Sequence, residues 1–245
     1  SSQLGIEVVL RTASDYAGII EAMAAGKVEF GWIGGNGYAV AYDIMEGNVE
    51  PLIMDVSSKG KLGYYSIIIV KGDSKYNSLD DLKGRSLAFT DPNSTSGYTI
   101  PDTVLGKKGY LDKKKPFFSR TGFSGSHENG VVAVLNGTYD AAVTWAYDKT
   151  QGNHTRMIKK GMIKPNDIKI IWWSPLIPNS PFCAIKSLPE GMKQKFKDAM
   201  LNFEKNDPAR FKKVIDKMMG GFAPTNHDMY QYAIDIRERK KKERN

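Results

Sequence analysis

The sequence predicts an α/β protein folded as two lobes. Three observations carry this. Strand-sized apolar runs alternate with helical patterns from start to end, as in strands joined by crossover helices. Two extended segments, residues 65–71 and 176–186, bracket a middle group of elements, so the chain leaves one lobe, builds a second and returns. No apolar run approaches the ~20 residues that span a bilayer, and the longest, Ser66-Ile67-Ile68-Ile69-Val70, has the length of a strand. Paired crossovers make a hinge, with the ligand expected in the cleft between the lobes. Residues 1–66 and 182–245 then form the first lobe and residues 67–181 the second.

Each element has a local reason. Residues 6–10 read as a strand. A helix follows from Asp15, whose carboxylate suits the N-cap, to a stop at Gly26. Residues 28–33 read as a strand, and Gly34-Gly35-Asn36-Gly37 turns into a helix reaching Glu46. Residues 51–56 and 65–71 are further strands. Ser78 to Gly84 is a short capped helix and 85–89 a strand, followed by a loop and helix from Asp91. Strands are expected at 117–122, 140–144 and 168–173, with helices near 128–135 and 149–160. After an extended run through residue 185 the chain becomes almost wholly helical, with starts at Pro189 and Asp207. The alternation predicts mostly parallel strands.

Composition narrows the function. A single cysteine, Cys183, excludes an intrachain disulfide and a multi-cysteine metal site, and three histidines leave little for a histidine-rich one. Neither a metal nor a cofactor is expected. The net charge is +8, and residues 236–245 alone hold six positive and two negative side chains. This tail lacks the interleaved aromatics that stack bases. It reads as a solvated helix end favoured by the C-terminal dipole, so nucleic acid is not an expected partner. The opening Ser1-Ser2-Gln3-Leu4 is not a secretory signal.

The segment richest in chemistry is Phe89-Thr90-Asp91-Pro92-Asn93-Ser94-Thr95-Ser96-Gly97-Tyr98. A strand ends, the chain turns, and three hydroxyls precede a glycine. If a helix begins here, its first N–H groups point beyond its end with roughly half a positive charge. With the hydroxyls of Ser94, Thr95 and Ser96 they make an anion site of neutral donors, suited to a tetrahedral oxyanion. An ordinary N-cap is the other reading of the same run. The phosphate loop ending in Gly-Lys-Ser/Thr is absent. His127, in Gly125-Ser126-His127-Glu128-Asn129, sits at the next strand-to-helix junction, where it serves either an anion or a helix cap. The preceding Gly122-Phe123-Ser124-Gly125-Ser126 misses the nucleophile elbow, which needs glycine where Ser126 stands. Tyr16, Tyr64, Tyr65, Trp145 and Tyr147 lie at element ends, where a phenol donates one hydrogen bond and covers an apolar face.

Taken in order, Asp15-Tyr16-Ala17-Gly18, Gly63-Tyr64-Tyr65-Ser66, Asp91-Pro92-Asn93-Ser94-Thr95-Ser96-Gly97, His127-Glu128 and Trp173-Ser174-Pro175-Leu176-Ile177-Pro178 resemble the phosphonate-binding proteins of ABC importers. The resemblance covers most of the chain from Ile6 to about Ala223. It implies a two-lobed periplasmic-binding-protein fold of type II, without catalysis. It implies a periplasmic protein or a cell-surface lipoprotein, whose targeting segment is not in this sequence, working with a membrane permease. By the same resemblance Ser94, Thr95 and Ser96 grip a phosphorus oxyanion, and Tyr16, Tyr64 and His127 join them.

Two departures bear on the ligand. Members that bind an aminoalkyl phosphonate hold the ammonium with acidic residues. At those places this chain has Trp145, Ala146 and Tyr147, and Asn179 and Ser180, with Asp148 one position away. A buried ammonium without a carboxylate is costly, so Trp145, Tyr147, Asn179 and Ser180 are expected to make a shortened, neutral pocket for phosphite or methylphosphonate, while Asp148, also a candidate ligand residue, would restore a carboxylate if that loop shifted by one residue. The family also opens with a strand and helix ahead of the segment matching 5–10, so the first lobe is expected to lack them. Three other roles stand beside an importer's binding protein: the input module of a sensor, an enzyme acting on phosphonates or phosphate esters, and a nucleic-acid binder.

Overall fold

The computed structural model describes residues 4–112, 114–214 and 219–243. Its elements run α1 (Tyr16–Ala24), β1 (Phe30–Trp32), α2 (Gly35–Ile44), β2 (Val49–Ser57), β3 (Gly63–Lys71), β4 (Ser86–Phe89), α3 (Ile100–Lys107), β5 (Arg120–Phe123) and α4 (His127–Leu135). They continue β6 (Ala141–Asp148), β7 (Gln151–Gly152), α5 (Asn153–Lys159), β8 (Ile168–Trp173), β9 (Ile177–Pro178), β10 (Pro181–Ile185), α6 (Glu190–Leu201), α7 (Phe203–Asn206), α8 (Pro208–Val214), β11 (Met219–Pro224) and α9 (Gln231–Lys242). The chain divides into two compact units, one made of Ser1–Leu62 with Pro178–Asn245 and one of Gly63–Ile177. The divisions place all of β3 in the second unit and all of β10 in the first.

The first unit is built on a sheet ordered β1-β10-β2-β11, each neighbouring pair antiparallel. Its core joins Ile20 and Met23 of α1, Tyr38 and Ala41 of α2, Val49 and Met54 of β2, Cys183 of β10 and Ile234 of α9. Asp15 caps α1, its carboxylate accepting from the Gly18 N–H at 2.8 Å. The Arg237 guanidinium donates to Asp43 Oδ2 at 2.9 and 2.7 Å, and Lys241 Nζ to Oδ1 at 2.5 Å, so part of the basic tail ties α9 to α2. Arg244 and Asn245 of that tail lie outside the described residues.

The second unit has a sheet ordered β5-β4-β6-β3-β8, with β7 against β6. β3 is buried on both faces. Ile68 and Val70 pack with Leu87, Leu105 and Phe118 on one side. Ile67 and Ile69 pack with Val131, Val134 and Met157 on the other. Side chains alternate along a strand, so a central strand covered twice must be apolar at every position. That is why the longest apolar run of the sequence lies here.

Three expectations change. Residues 7–13 have no regular structure and residues 6–10 are exposed, Leu10 at 86%; the sheet ends at β1 and this segment is not part of it. Most strand pairs are antiparallel; β4 with β5 and β4 with β6 are the parallel ones recorded. The excursion between units explains it. β2 leads out of the first unit and β10 leads back, so these neighbours run oppositely, and β3 and β8 do the same in the second. Finally, β11 was hidden in a stretch read as helix. Gly220 lies so close to β2 that a Cβ there would sit 2.5 Å from the Ser57 carbonyl oxygen, so this strand carries glycine where propensity asks for a branched residue.

Candidate functional site

The hydroxyl run sits where β4 ends. Asp91 turns the chain, its carboxylate accepting from the Asn93 N–H at 2.7 Å and its carbonyl from the Ser94 N–H at 3.0 Å. Residues Thr95–Thr99 then form one π-helical turn that runs into α3. The Ser94 hydroxyl caps it, accepting from the Gly97 N–H at 3.0 Å. The Thr99 and Ile100 N–H groups reach back five residues, to the Ser94 and Thr95 carbonyls. A π-turn at a helix start lengthens the stretch of N–H groups directed outward along the axis. Ser94, Thr95 and Ser96 are all buried, at 1%, 2% and 3% exposure. The Ser66 hydroxyl of β3 donates to the Ser96 carbonyl at 2.6 Å, and the Ser66 N–H donates to Ser174 Oγ at 2.9 Å, which fixes the turn against the sheet.

His127 opens α4 at the end of β5, the parallel neighbour of β4. Ser126 caps that helix, accepting from the Asn129 N–H at 3.1 Å, and Ser124 Oγ lies against the Phe89 and Ser126 carbonyls. These serines hold the junction. Thr90 joins the two junctions. Its N–H donates to the Gly97 carbonyl at 2.9 Å, and its hydroxyl lies 3.1 Å from His127 Nδ1 and 3.2 Å from the Val143 carbonyl oxygen. A Cβ on Gly97 would come within 2.5 Å of Thr90 Oγ1 and 2.7 Å of Ser94 Oγ, so the hydroxyl run closes onto Thr90 only because residue 97 is glycine. Burial of the imidazole pushes the His127 pKa down to about 4, with Glu128 raising it and Arg156 lowering it. His127 is therefore neutral at pH 7. Glu128 and Arg156 pair with each other.

The aromatics form a row. Trp145 and Tyr147 are in β6 itself, on one side of the strand, their rings 5.6 Å apart and near perpendicular at 78°. Tyr147 meets Tyr64 of β3 edge-on at 6.4 Å. The Arg156 guanidinium, which also donates to Asn153 Oδ1 at 3.1 Å, lies 5.6 Å from the centre of the Trp145 ring. The Asp148 carboxylate closes the following turn, accepting from the Thr150 N–H at 2.8 Å and its hydroxyl at 2.7 Å.

The second unit thus brings together Ser94, Thr95, Ser96 and His127, and aligns Tyr64, Trp145 and Tyr147. Tyr16, the first residue of α1, and Ser180, whose carbonyl accepts from the Asp55 N–H at 3.3 Å, belong to the first unit. Asn179 is a framework residue, its amide donating to the Asp55 and Lys61 carbonyls at 2.8 and 3.0 Å. Sequence reasoning missed Thr90, Ser66 and Arg156. Thr90 carried one signal, a hydroxyl directly after a buried strand and directly before the Asp-Pro turn.

Hydroxyls and helix starts are gathered at the carboxyl ends of parallel strands, beside a neutral imidazole, a set of groups that can hydrogen-bond a small oxyanion. Residues 1–230 match the family described as ABC transporter, phosphonate, periplasmic substrate-binding protein, and the chain belongs to that family. It is 34% identical over 242 residues to the phosphonates-binding periplasmic protein of Escherichia coli K12, covering 96% of this chain and 67% of that protein. It is 34% identical over 192 residues to the phosphate-import protein PhnD of Mycolicibacterium smegmatis, covering 76% of this chain and 58% of that one. The crystal structure of a binding protein component of an ABC phosphonate transporter from Pseudomonas aeruginosa superposes with a TM-score of 0.83 at 31% identity, over 96% of this chain and 76% of that chain. The chain spans two thirds or less of the length of these two curated relatives. No helix among the described residues is long and apolar enough to cross a membrane.

Proposed function

We propose that this chain is the extracytoplasmic solute-binding component of an ABC importer. It captures a small phosphorus oxyanion, such as phosphite or methylphosphonate, and hands it to a membrane permease without transforming it. The observation that carries this reading is the Ser94-Thr95-Ser96 turn joined through Thr90 to His127. It offers an oxyanion several neutral donors, and hydrogen bonds to an ionised acceptor are the strong ones. The names of the relatives in the family point the same way. Tyr64, Trp145 and Tyr147 cover the substituent in this reading, and Tyr16 and Ser180 remain ligand-binding residues on the strength of their motifs.

The ligand's substituent is small and uncharged in this proposal. Trp145 carries the Arg156 guanidinium on its ring, and the Asp148 carboxylate is committed to Thr150. An ammonium group would find a cation and aromatic faces there, beside an Asp148 carboxylate that already holds Thr150 through Oδ1 and a Glu128 carboxylate paired with Arg156. Phosphate stands as the second reading, because one relative is named for phosphate import. Titration calorimetry of the full chain with phosphite, methylphosphonate, phosphate and aminoethylphosphonate decides. A small phosphorus oxyanion should bind most tightly. If none of the four binds, the proposal fails.

A further inference from the structure

We infer that His127 meets its ligand as a hydrogen-bond acceptor, so that the site takes a phosphorus oxyanion which still carries one P–OH group. The inference rests on the functional reading above and starts from Thr90. Its hydroxyl has one proton and two neighbours, the Val143 carbonyl oxygen at 3.2 Å and His127 Nδ1 at 3.1 Å. A carbonyl oxygen can only accept, so the Thr90 proton goes to Val143. The contact with His127 is then satisfied in one way, with Nδ1–H donating to Thr90 Oγ1. A neutral imidazole with its proton on Nδ1 carries a lone pair on Nε2.

The surroundings keep the ring neutral. The charged groups facing it are Glu128 on its own helix and Arg156 on α5, and these two are paired with each other. No net charge is left to draw a second proton onto the ring, and burial disfavours one. The helix starts supply donors alone, and each hydroxyl can either donate or accept. Nε2 of this tautomer can only accept, so it favours the one feature that separates a hydrogenphosphonate from a fully ionised oxyanion of the same shape. The proton stays on the ligand oxygen and is shared along the O–H···N bond.

Methanesulfonate makes the test sharp. It matches the methylphosphonate monoanion in charge and shape but has no hydroxyl. The full chain is titrated by calorimetry with both ligands from about pH 5 to 9, and the ring of His127 is followed in the methylphosphonate complex by long-range ¹H–¹⁵N NMR. Affinity for methylphosphonate should be flat up to the ligand's second ionisation, then fall about tenfold per pH unit. Methanesulfonate should bind at least about a hundredfold more weakly, since its oxygen meets a lone pair. His127 should stay neutral with its proton on Nδ1. Thr90→Val, which frees Nδ1 from its partner, should bring the two ligands within about tenfold of each other, and Thr90→Ser should restore the gap.

Methanesulfonate within tenfold of methylphosphonate in the unaltered chain overturns the inference. So does an imidazolium, or a proton on Nε2, in the complex. Failure of methylphosphonate, phosphite and phosphate to bind at any pH removes the functional reading itself, and this inference with it.

Discussion

Gly97→Ala tests the geometry that joins the hydroxyl turn to His127. The added methyl would lie 2.5 Å from Thr90 Oγ1 and 2.7 Å from Ser94 Oγ. Ordinary contacts begin near ~3.5 Å, so Thr90 must retreat by about 1 Å. That retreat stretches its 3.1 and 3.2 Å contacts to His127 and Val143 beyond hydrogen-bonding range. Two lost bonds cost about 1–3 kcal/mol together, and overpacking a buried site adds ~1–3 kcal/mol. The better helix propensity of alanine returns at most about 1 kcal/mol. A net loss near 2–4 kcal/mol corresponds to a melting temperature lower by roughly 4–15 °C for a chain of this size. Gly106→Ala is the control, because a Cβ at that position of α3 meets nothing within 4 Å. It should leave stability unchanged or raise it by up to ~1 kcal/mol. Thermal unfolding by circular dichroism, with calorimetry of methylphosphonate binding, reads both variants. If Gly97→Ala melts within about 1 °C of the unaltered chain and binds equally well, Thr90 does not hold the two junctions together.

The other predictions concern the ligand and pH. Replacing Thr95 and Ser96 together by alanine should weaken binding of any phosphorus oxyanion by about 1.5–3 kcal/mol per charge-assisted bond lost; an unchanged affinity in a folded double variant removes the hydroxyls from the site. Aminoethylphosphonate should bind at least about tenfold more weakly than the best small ligand, a difference of ~1.4 kcal/mol. A preference for it that disappears in Asp148→Asn would show that the Asp148 carboxylate leaves Thr150 for the ligand. The pKa of His127 is depressed to about 4 by folding, below its ordinary 6.5, so its contribution to stability is complete above pH 6.5 and is lost as pH falls towards 4. His154 is shifted the same way by burial. Urea midpoints at about pH 7 and 5 should therefore differ less in His127→Gln than in the unaltered chain, and equal differences refute the assignment.

Much of this was legible from local chemistry. Asp15 and Ser94 announced helix starts because an N-cap needs an oxygen at a fixed offset, and both accept the expected N–H; at the next junction Ser126 is the cap, not His127. The apolar run of β3 was legible because it is buried twice. What stayed hidden was whatever depends on distant neighbours. Residues 6–10 look like a strand, but a strand exists only beside a partner. β11 looks like a break, because Gly220 records the closeness of β2 and no propensity of its own. Strand direction follows the route of the chain between units, which periodicity does not encode. At the site, the hydroxyls and His127 could be found singly. Thr90 had only its place between a buried strand and the Asp-Pro turn to mark it, and its role is a pair of contacts made to His127 and Val143, 37 and 53 residues further along the chain.

Cys183 has a practical meaning beyond its place in the core. It is the chain's one thiol, fully buried in β10, and desolvation holds its pKa well above the ordinary thiol value. Thiolate is the species that reacts with maleimides and iodoacetamides, so the folded protein should be silent towards them. A cysteine introduced at an exposed position then becomes the single point of attachment for a dye, with no need to remove the native residue. Val132 is 40% exposed on α4, the helix that begins with His127. A fluorophore placed there would report from the same rigid element that carries the imidazole, and would turn the protein into an optical gauge of its own ligand.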